Sequence, residues 1–247
     1  MKRKILATAL VLTMLLFTTT NLAAQDAAGI LQKVDYLLNA PKDQKIATTI
    51  TIFDKSSRQS NRTMSMLQKG SDKRMVKILS PADQKGIAFL SLPNDNLTVY
   101  LPAYGKTRKI ASSVKNSKFA GTDFTYEDME AKKYSLKWTP KLNSSANGFH
   151  VLELTPKAGV VTDYSKLIMY VRTSDNYPVK IEHFDKSGKL SKVLSDNNIV
   201  KVDGYMIAKE LVMEDKKNGT KTKMTVTSVT FDNGLSDDYF SERELIK

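Results

Sequence analysis

Residues 178–231 read PVKIEHFDKSGKLSKVLSDNNIVKVDGYMIAKELVMEDKKNGTKTKMTVTSVTF. Apolar and polar residues alternate with period two over 178–185, 188–195, 199–203, 205–214 and 220–231, the spacing of strands with one buried face. The breaks carry turn chemistry. Asp203-Gly204 is a two-residue hairpin signal, because a type I′ turn requires positive φ at both central residues. Asp185-Lys186-Ser187-Gly188 and Lys217-Asn218-Gly219 read as further hairpin loops, and Asn233-Gly234 ends the last strand. Strands joined by tight turns in this way form an antiparallel meander.

Working back from this stretch, the same pattern recurs. Ile46, Thr48, Ile50 and Ile52 alternate with other residues, as do Arg62, Met64 and Met66. Further strands are expected over 73–79, 86–92, 96–101, 106–111, 133–139, 148–155 and 164–173. Residues 27–39 differ, since Ile30, Leu31, Val34, Leu37 and Leu38 fall at helical spacing and Pro41 stops the run. A short terminal helix is expected within 237–246. So large a meander must curl or close. The expected class is α+β, mostly β: a strongly curved antiparallel half-barrel of about 10–12 strands. Short helices should close it over an apolar cavity.

Residues 1–24 have the layout of a secretory signal peptide. Lys2, Arg3 and Lys4 precede the apolar run Ile5–Phe17, and Asn21-Leu22-Ala23-Ala24 offers a cleavage site after Ala24. The run is short against the roughly 20 residues of a spanning helix. We therefore expect an exported, periplasmic protein whose residues 25–247 form one domain. Removing the leader lowers the net charge from +12 to +9. A basic exported protein suits anionic lipid or a bilayer surface better than nucleic acid. The bland alternative is that the scattered lysines are solvated outer faces of strands.

The chain has no Cys and two His, which excludes disulfides, Cys-ligated metal and a Cys nucleophile. His150 and His183 sit in expected strands and belong to no nucleophile or metal motif. There is no phosphate-binding Gly loop and no G-x-S-x-G elbow. We expect no enzyme activity, no metal and no cofactor.

Three ordered blocks stand out. The first is Ser80-Pro81-Ala82-Asp83-Gln84-Lys85-Gly86. Pro81 makes it a turn, and Gly86 permits close backbone approach or a bulge. The second runs Tyr100-Leu101-Pro102-Ala103-Tyr104-Gly105 into a basic cluster, Lys106, Arg108 and Lys109, with Lys115 and Lys118 nearby. This cluster reads either as a rim facing lipid headgroups or as a solvated strand face. The third is Gly121-Thr122-Asp123-Phe124-Thr125-Tyr126-Glu127-Asp128-Met129. Thr125 and Asp128 fit the start of a short helix, so Asp123, Glu127 and Asp128 read as caps rather than acid–base or calcium groups. Phe119, Phe124, Tyr126 and Met129 would pack this segment as a lid over a cavity mouth or as a plug of the core.

These blocks resemble the outer-membrane lipoprotein-sorting, LolA-like family of the Gram-negative periplasm. The resemblance implies a curved sheet with an apolar cavity for acyl chains. It also implies a soluble carrier, monomeric, that takes up lipid or lipoprotein acyl chains and meets a partner protein at the inner or outer membrane. An envelope sensor, or an accessory subunit of a lipid-exporting transporter, is the alternative. Shielding a chain of about fourteen carbons is worth about 11 kcal/mol, so the cavity wall must be broad and apolar. Its candidates are Ile50, Ile52, Met64, Met66, Val76, Ile78, Phe89, Leu101, Leu152, Leu154, Met169 and Ile181. Flexible Met thioethers suit irregular acyl packing.

Overall fold

The structure, a computed structural model, describes residues 26–247; the expected leader lies outside the described residues. Helix α1 covers residues 26–38. Six strands follow: β1 (Asp43–Phe53), β2 (Gln59–Lys69), β3 (Lys73–Ser80), β4 (Ala88–Leu92), β5 (Asn96–Leu101) and β6 (Lys106–Lys109). Residues 110–137 carry two short helices, α2 (Tyr126–Met129) and α3 (Tyr134–Lys137). The second meander comprises β7 (Trp138–Ala146), β8 (Phe149–Pro156), β9 (Tyr164–Arg172), β10 (Pro178–Asp185), β11 (Leu190–Val202), β12 (Tyr205–Asp215) and β13 (Thr220–Phe231). Helix α4 (Glu242–Leu245) ends the chain.

All thirteen strands form one antiparallel sheet. The two meanders join at its centre, where β1 pairs with β13, and β6 and β7 are the free edges. The sheet is curved and not closed. Register shifts occur between β1 and β13, β2 and β3, β7 and β8, and β9 and β10. Such irregularities add local twist and bend the strands.

Asp203 and Gly204 both adopt positive φ, at 48° and 89°, as a I′ hairpin requires. The Lys217-Asn218-Gly219 loop is different. Only Gly219 has positive φ, and the Asp215 carboxylate organises the turn by accepting from the Lys217 and Asn218 amides. Two expected strands, 188–195 and 199–203, are the single strand β11. Asn198 has φ 51°, yet the register to β12 runs through it unchanged, with Asn197 opposite Glu210 and Ile199 opposite Ala208. The expected strand 133–139 is instead α3 followed by β7.

The inner face carries two apolar clusters. One gathers Ile50, Met64, Val76, Ile78 and Phe89 from β1–β4 with Phe119, Phe124 and Met129 of the 110–137 segment. The other packs Ala27, Ile30, Leu31 and Val34 of α1 onto Leu152, Leu154, Met169 and Ile181. The helix forms because its apolar stripe matches that face. A third cluster lies on the outer face, where Leu235, Phe240 and Leu245 cover Met75, Ala88 and Leu90. Asp43 anchors this terminal segment, its buried carboxylate accepting from the amides of Asn233, Gly234 and Leu235 at 2.9–3.0 Å.

Candidate functional site

The first two sequence blocks meet at Gly86 and Pro102, and the third is tied to β13. Gly86 has φ +88°, and a Cβ there would stand 3.0 Å from Cγ of Pro102. Glycine thus lets the first turn and the Leu101-Pro102 strand end approach closely. In the third block the buried Asp123 carboxylate accepts from Lys118 Nζ at 2.7 Å, Thr220 Oγ1 at 2.5 Å and Thr222 Oγ1 at 2.8 Å. This ties the Gly-Thr-Asp-Phe loop to β13. Thr125 and Asp128 form a reciprocal capping box at the start of α2. Glu127 accepts from Thr162 Oγ1. All three carboxylates have protein partners, but only Asp128 is a cap; Asp123 ties the loop to β13 and Glu127 meets Thr162.

Between the inner clusters lies a cavity of about 230 Å³. Its wall comes from β1, β2, β11, β12 and β13, with Leu38 of α1 at one side and Phe124, Asp128 and Met129 closing another. Five methionines line it: Met64, Met66, Met129, Met206 and Met224. Arg74, Asp128 and Asp196 are its charged residues. A broader groove of about 780 Å³ runs between α1 and the β11–β12 hairpin, lined by Lys33, Tyr36, Lys201 and Tyr205 among others; Met206 lines both spaces.

Of the twelve expected wall residues, Met64 and Met66 line this cavity. Ile50, Val76, Ile78 and Phe89 are fully buried or nearly so in the first cluster, with Ile52 and Leu101 packed against it. Leu152, Leu154, Met169 and Ile181 lie under α1. Those ten pack on the same inner face outside the lining of this cavity. Phe124 and Met129 border the cavity, whereas Phe119 and Tyr126 stack with Phe89 at centroid distances of 5.7–6.1 Å. Lys106, Arg108 and Lys109 lie on the edge strand β6, away from the cavity wall. Arg108 stacks over Tyr104, and Lys109 pairs with Glu242 at 2.8 Å. Lys115 is not part of an exposed rim: it is buried and faces Asp95 at 3.3 Å. Lys118 is committed to Asp123 and Asp215.

Sequence reasoning missed three polar cavity residues. Arg74 donates to Gln68 Oε1 at 2.6 and 3.0 Å and to the carbonyls of Met129 and Glu130 at 3.0 and 3.3 Å. It thus holds the end of α2 against β2 and β3. Burial lowers its pKa to about 10, so it stays cationic at neutral pH. Asp128 bonds Lys192 Nζ, Tyr164 Oη and the Thr125 amide at 2.9–3.0 Å. His183 is buried beside this group, and desolvation pushes its pKa down to about 4, so it is neutral at pH 7. His150 bonds Ser145 on the β7–β8 hairpin. The third residue, Asp196, has one side-chain partner, the Tyr177 hydroxyl. The sequence marked Asp128 only as a cap, and no signal marked Arg74 or Asp196, because Lys-Arg and Ser-Asp-Asn runs read as solvated.

Among the described residues no helix is long and apolar enough to cross a membrane, and no group of three or more His, Asp or Glu is placed to hold a metal ion. A family model described as "uncharacterized protein" matches residues 70–247. No curated protein matches the chain. Three solved structures are similar over nearly their whole length. A DUF1329 family protein from Desulfovibrio piger aligns with TM-score 0.84 and 24% identity, over 90% of this chain and 99% of that one. A putative outer membrane lipoprotein-sorting protein domain from Vibrio parahaemolyticus gives TM-score 0.82 and 25% identity, over 91% and 100%. A LolA superfamily protein from Nitrosomonas europaea gives TM-score 0.75 and 22% identity, over 88% and 98%.

Proposed function

The chain belongs to the "uncharacterized protein" family matched over residues 70–247 and has the LolA-like lipoprotein-sorting fold, and from this premise we propose that it is an exported carrier of acyl chains. It would take the chains of a lipid or lipoprotein into the inner cavity, shield them across the periplasm and release them to a membrane partner on the way to the outer membrane. The mechanism is non-covalent and uses no cofactor.

The observation that carries this reading is the Met-lined cavity closed by a hydrogen-bonded segment. Thioether side chains repack around an irregular guest at small cost. At about 230 Å³ the cavity is smaller than the roughly 300–1,000 Å³ of pockets that bury whole ligands. A full acyl chain therefore requires the Phe124–Met129 segment to move outward. Arg74 holds that segment closed, and the groove reached past Met206 gives the chain a way in. Uptake is then a competition between lipid burial and the closed-state hydrogen bonds.

The test is native mass spectrometry of the protein purified from the periplasm without detergent. A stoichiometric adduct in the mass range of a lipid or lipopeptide is expected, and Leu211→Trp, which fills the cavity from β12, should lose it while keeping the β-sheet spectrum. A clean protein mass that also resists loading with acyl ligands would sink the carrier reading. Removing the latch should have the opposite effect. In Arg74→Met, the Met129 and Glu130 carbonyls lose a charged donor, at about 2 kcal/mol. Hydrogen exchange at residues 124–130 should accelerate, and lipid uptake should be faster than in the wild type. Unchanged exchange there would show that Arg74 does not hold the segment.

A further inference from the structure

We propose that Asp196 is the polar anchor of the cavity, selecting acyl ligands whose head carries an N–H donor, an ammonium or amide, over heads that only accept hydrogen bonds. This rests on the carrier reading and adds the chemistry of the ligand head. The first ground is position. Asp196 stands on β11 in a wall otherwise built there from Leu194, Met206, Leu211 and Met224. The second is its spare bonding capacity. The Tyr177 hydroxyl accepts the Ala208 amide at 3.1 Å, so its proton goes to Asp196 Oδ2 at 3.3 Å. Oδ1 makes no hydrogen bond, and among the described residues no Lys, Arg or His forms an ion pair with this carboxylate. The third is that its charged neighbours in the cavity are already occupied. Asp128 is held by Lys192, Tyr164 and Thr125, and Arg74 by Gln68 and two backbone carbonyls.

A carboxylate facing an apolar space without a cation is costly unless something donates to it. Burial accordingly raises the Asp196 pKa to about 7. The other groups that face it are the phenols of Tyr177 and Tyr134, both raised by burial and neutral, and across the cavity Asp128 and Arg74. An N–H head arriving with its acyl chain would donate to the open Oδ1 and hold the carboxyl ionised. A carboxylate head would be repelled. The net charge of +9 without the leader favours anions, so a preference for an amine would have to arise locally.

The experiment measures binding of dodecylamine, dodecanol and dodecanoate, below their aggregation limits, by calorimetry and native mass spectrometry at pH 7.5. The proteins are the wild type, Asp196→Asn and Leu211→Trp. The wild type should prefer dodecylamine to dodecanol by about tenfold or more, the ratio a charge-assisted hydrogen bond supplies. Asp196→Asn, which still accepts from Tyr177, should bring that ratio to within about twofold. In the wild type alone, the ratio should collapse between pH 7.5 and pH 5, because Asp196 protonates while the amine stays charged. That arm holds whether or not the variant folds. Equal binding of amine and alcohol by the wild type at both pH values would overturn the anchor and leave the carrier standing. If no probe binds the wild type, or Leu211→Trp binds all three as well, the carrier reading falls and the anchor with it.

Discussion

Asp128→Ala should destabilise the protein by about 3–5 kcal/mol, because it leaves Lys192 buried without its counter-charge. The Lys192 and Asp128 side chains are 11% and 6% exposed and stand 3.0 Å apart. The same substitution removes the acceptor for Tyr164 Oη and for the Thr125 amide, so the α2 cap is lost together with the ion pair. The effect has a pH signature. Burial is the largest single effect and opposes ionisation of Asp128, but the positive charges of Lys192, His183 and Lys132 and the Thr125 hydrogen bond together outweigh it, so the folded carboxyl sits well below its ordinary value of 3.8. A depressed folded pKa gives stability that is present above the unfolded value and lost as the pH falls below it. Wild-type stability should therefore drop as the pH falls below about 4, with the gap to Asp128→Ala narrowing over the same interval. Urea unfolding at pH 7 and pH 3.5 measures both. A loss under about 1 kcal/mol at pH 7, the ordinary value of an exposed pair, would show that the buried pair does not hold the segment.

The opposite sign is expected two residues along β11 from Leu194. Asp196→Asn should stabilise the folded protein at pH 8 and do almost nothing at pH 4. Here the folded pKa is raised, from 3.8 to about 7, by burial. The folded state then binds a proton that the unfolded state has released, so wild-type stability falls as the pH rises from about 4 through about 7. The gap between those values corresponds to a gain of at most about 4 kcal/mol for the neutral isostere above pH 7. Asn keeps an acceptor for Tyr177. Thermal unfolding of both proteins across pH 4–8 tests this: the difference should open with rising pH. Parallel curves would mean that the carboxylate is well solvated in the fold and is no anchor. Together the two substitutions separate a carboxylate used for folding from one held at a stability cost.

Much of the fold is legible residue by residue. The I′ signal of Asp203-Gly204 works because few residues other than Gly, Asn and Asp tolerate both positive φ values, and both are observed. Helix α1 is readable from the spacing of Ile30, Leu31 and Val34. Period two also groups many apolar residues on the inner face, from Ile50 to Ile181, although β3 and β4 carry apolar residues on both faces. Local patterns could not show β7's displacement by α3, since Tyr134–Lys137 carries the same residue types as a strand. Nor could they show that the first strand pairs with the last at the centre of the sheet.

The site was less legible for a related reason. Alternation says which face a side chain takes, but a filled core and a cavity wall both need the inner face. Ile78 and Met64 have the same local signature, yet only Met64 borders empty space. Arg74 and Asp196 look solvated in the chain, and only the return of Met129 and Glu130 over β3, and of Tyr177 under β11, half-buries them. The sequence by itself determined most of the strands and turns and the α2 cap, because these depend on neighbours within a few residues. The tertiary structure decided the β1–β13 closure, the outer cover by Leu235, Phe240 and Leu245, and the position of the cavity with its unmatched carboxylate. Those depend on contacts between residues from about 20 to about 190 positions apart, whose energies no local pattern encodes.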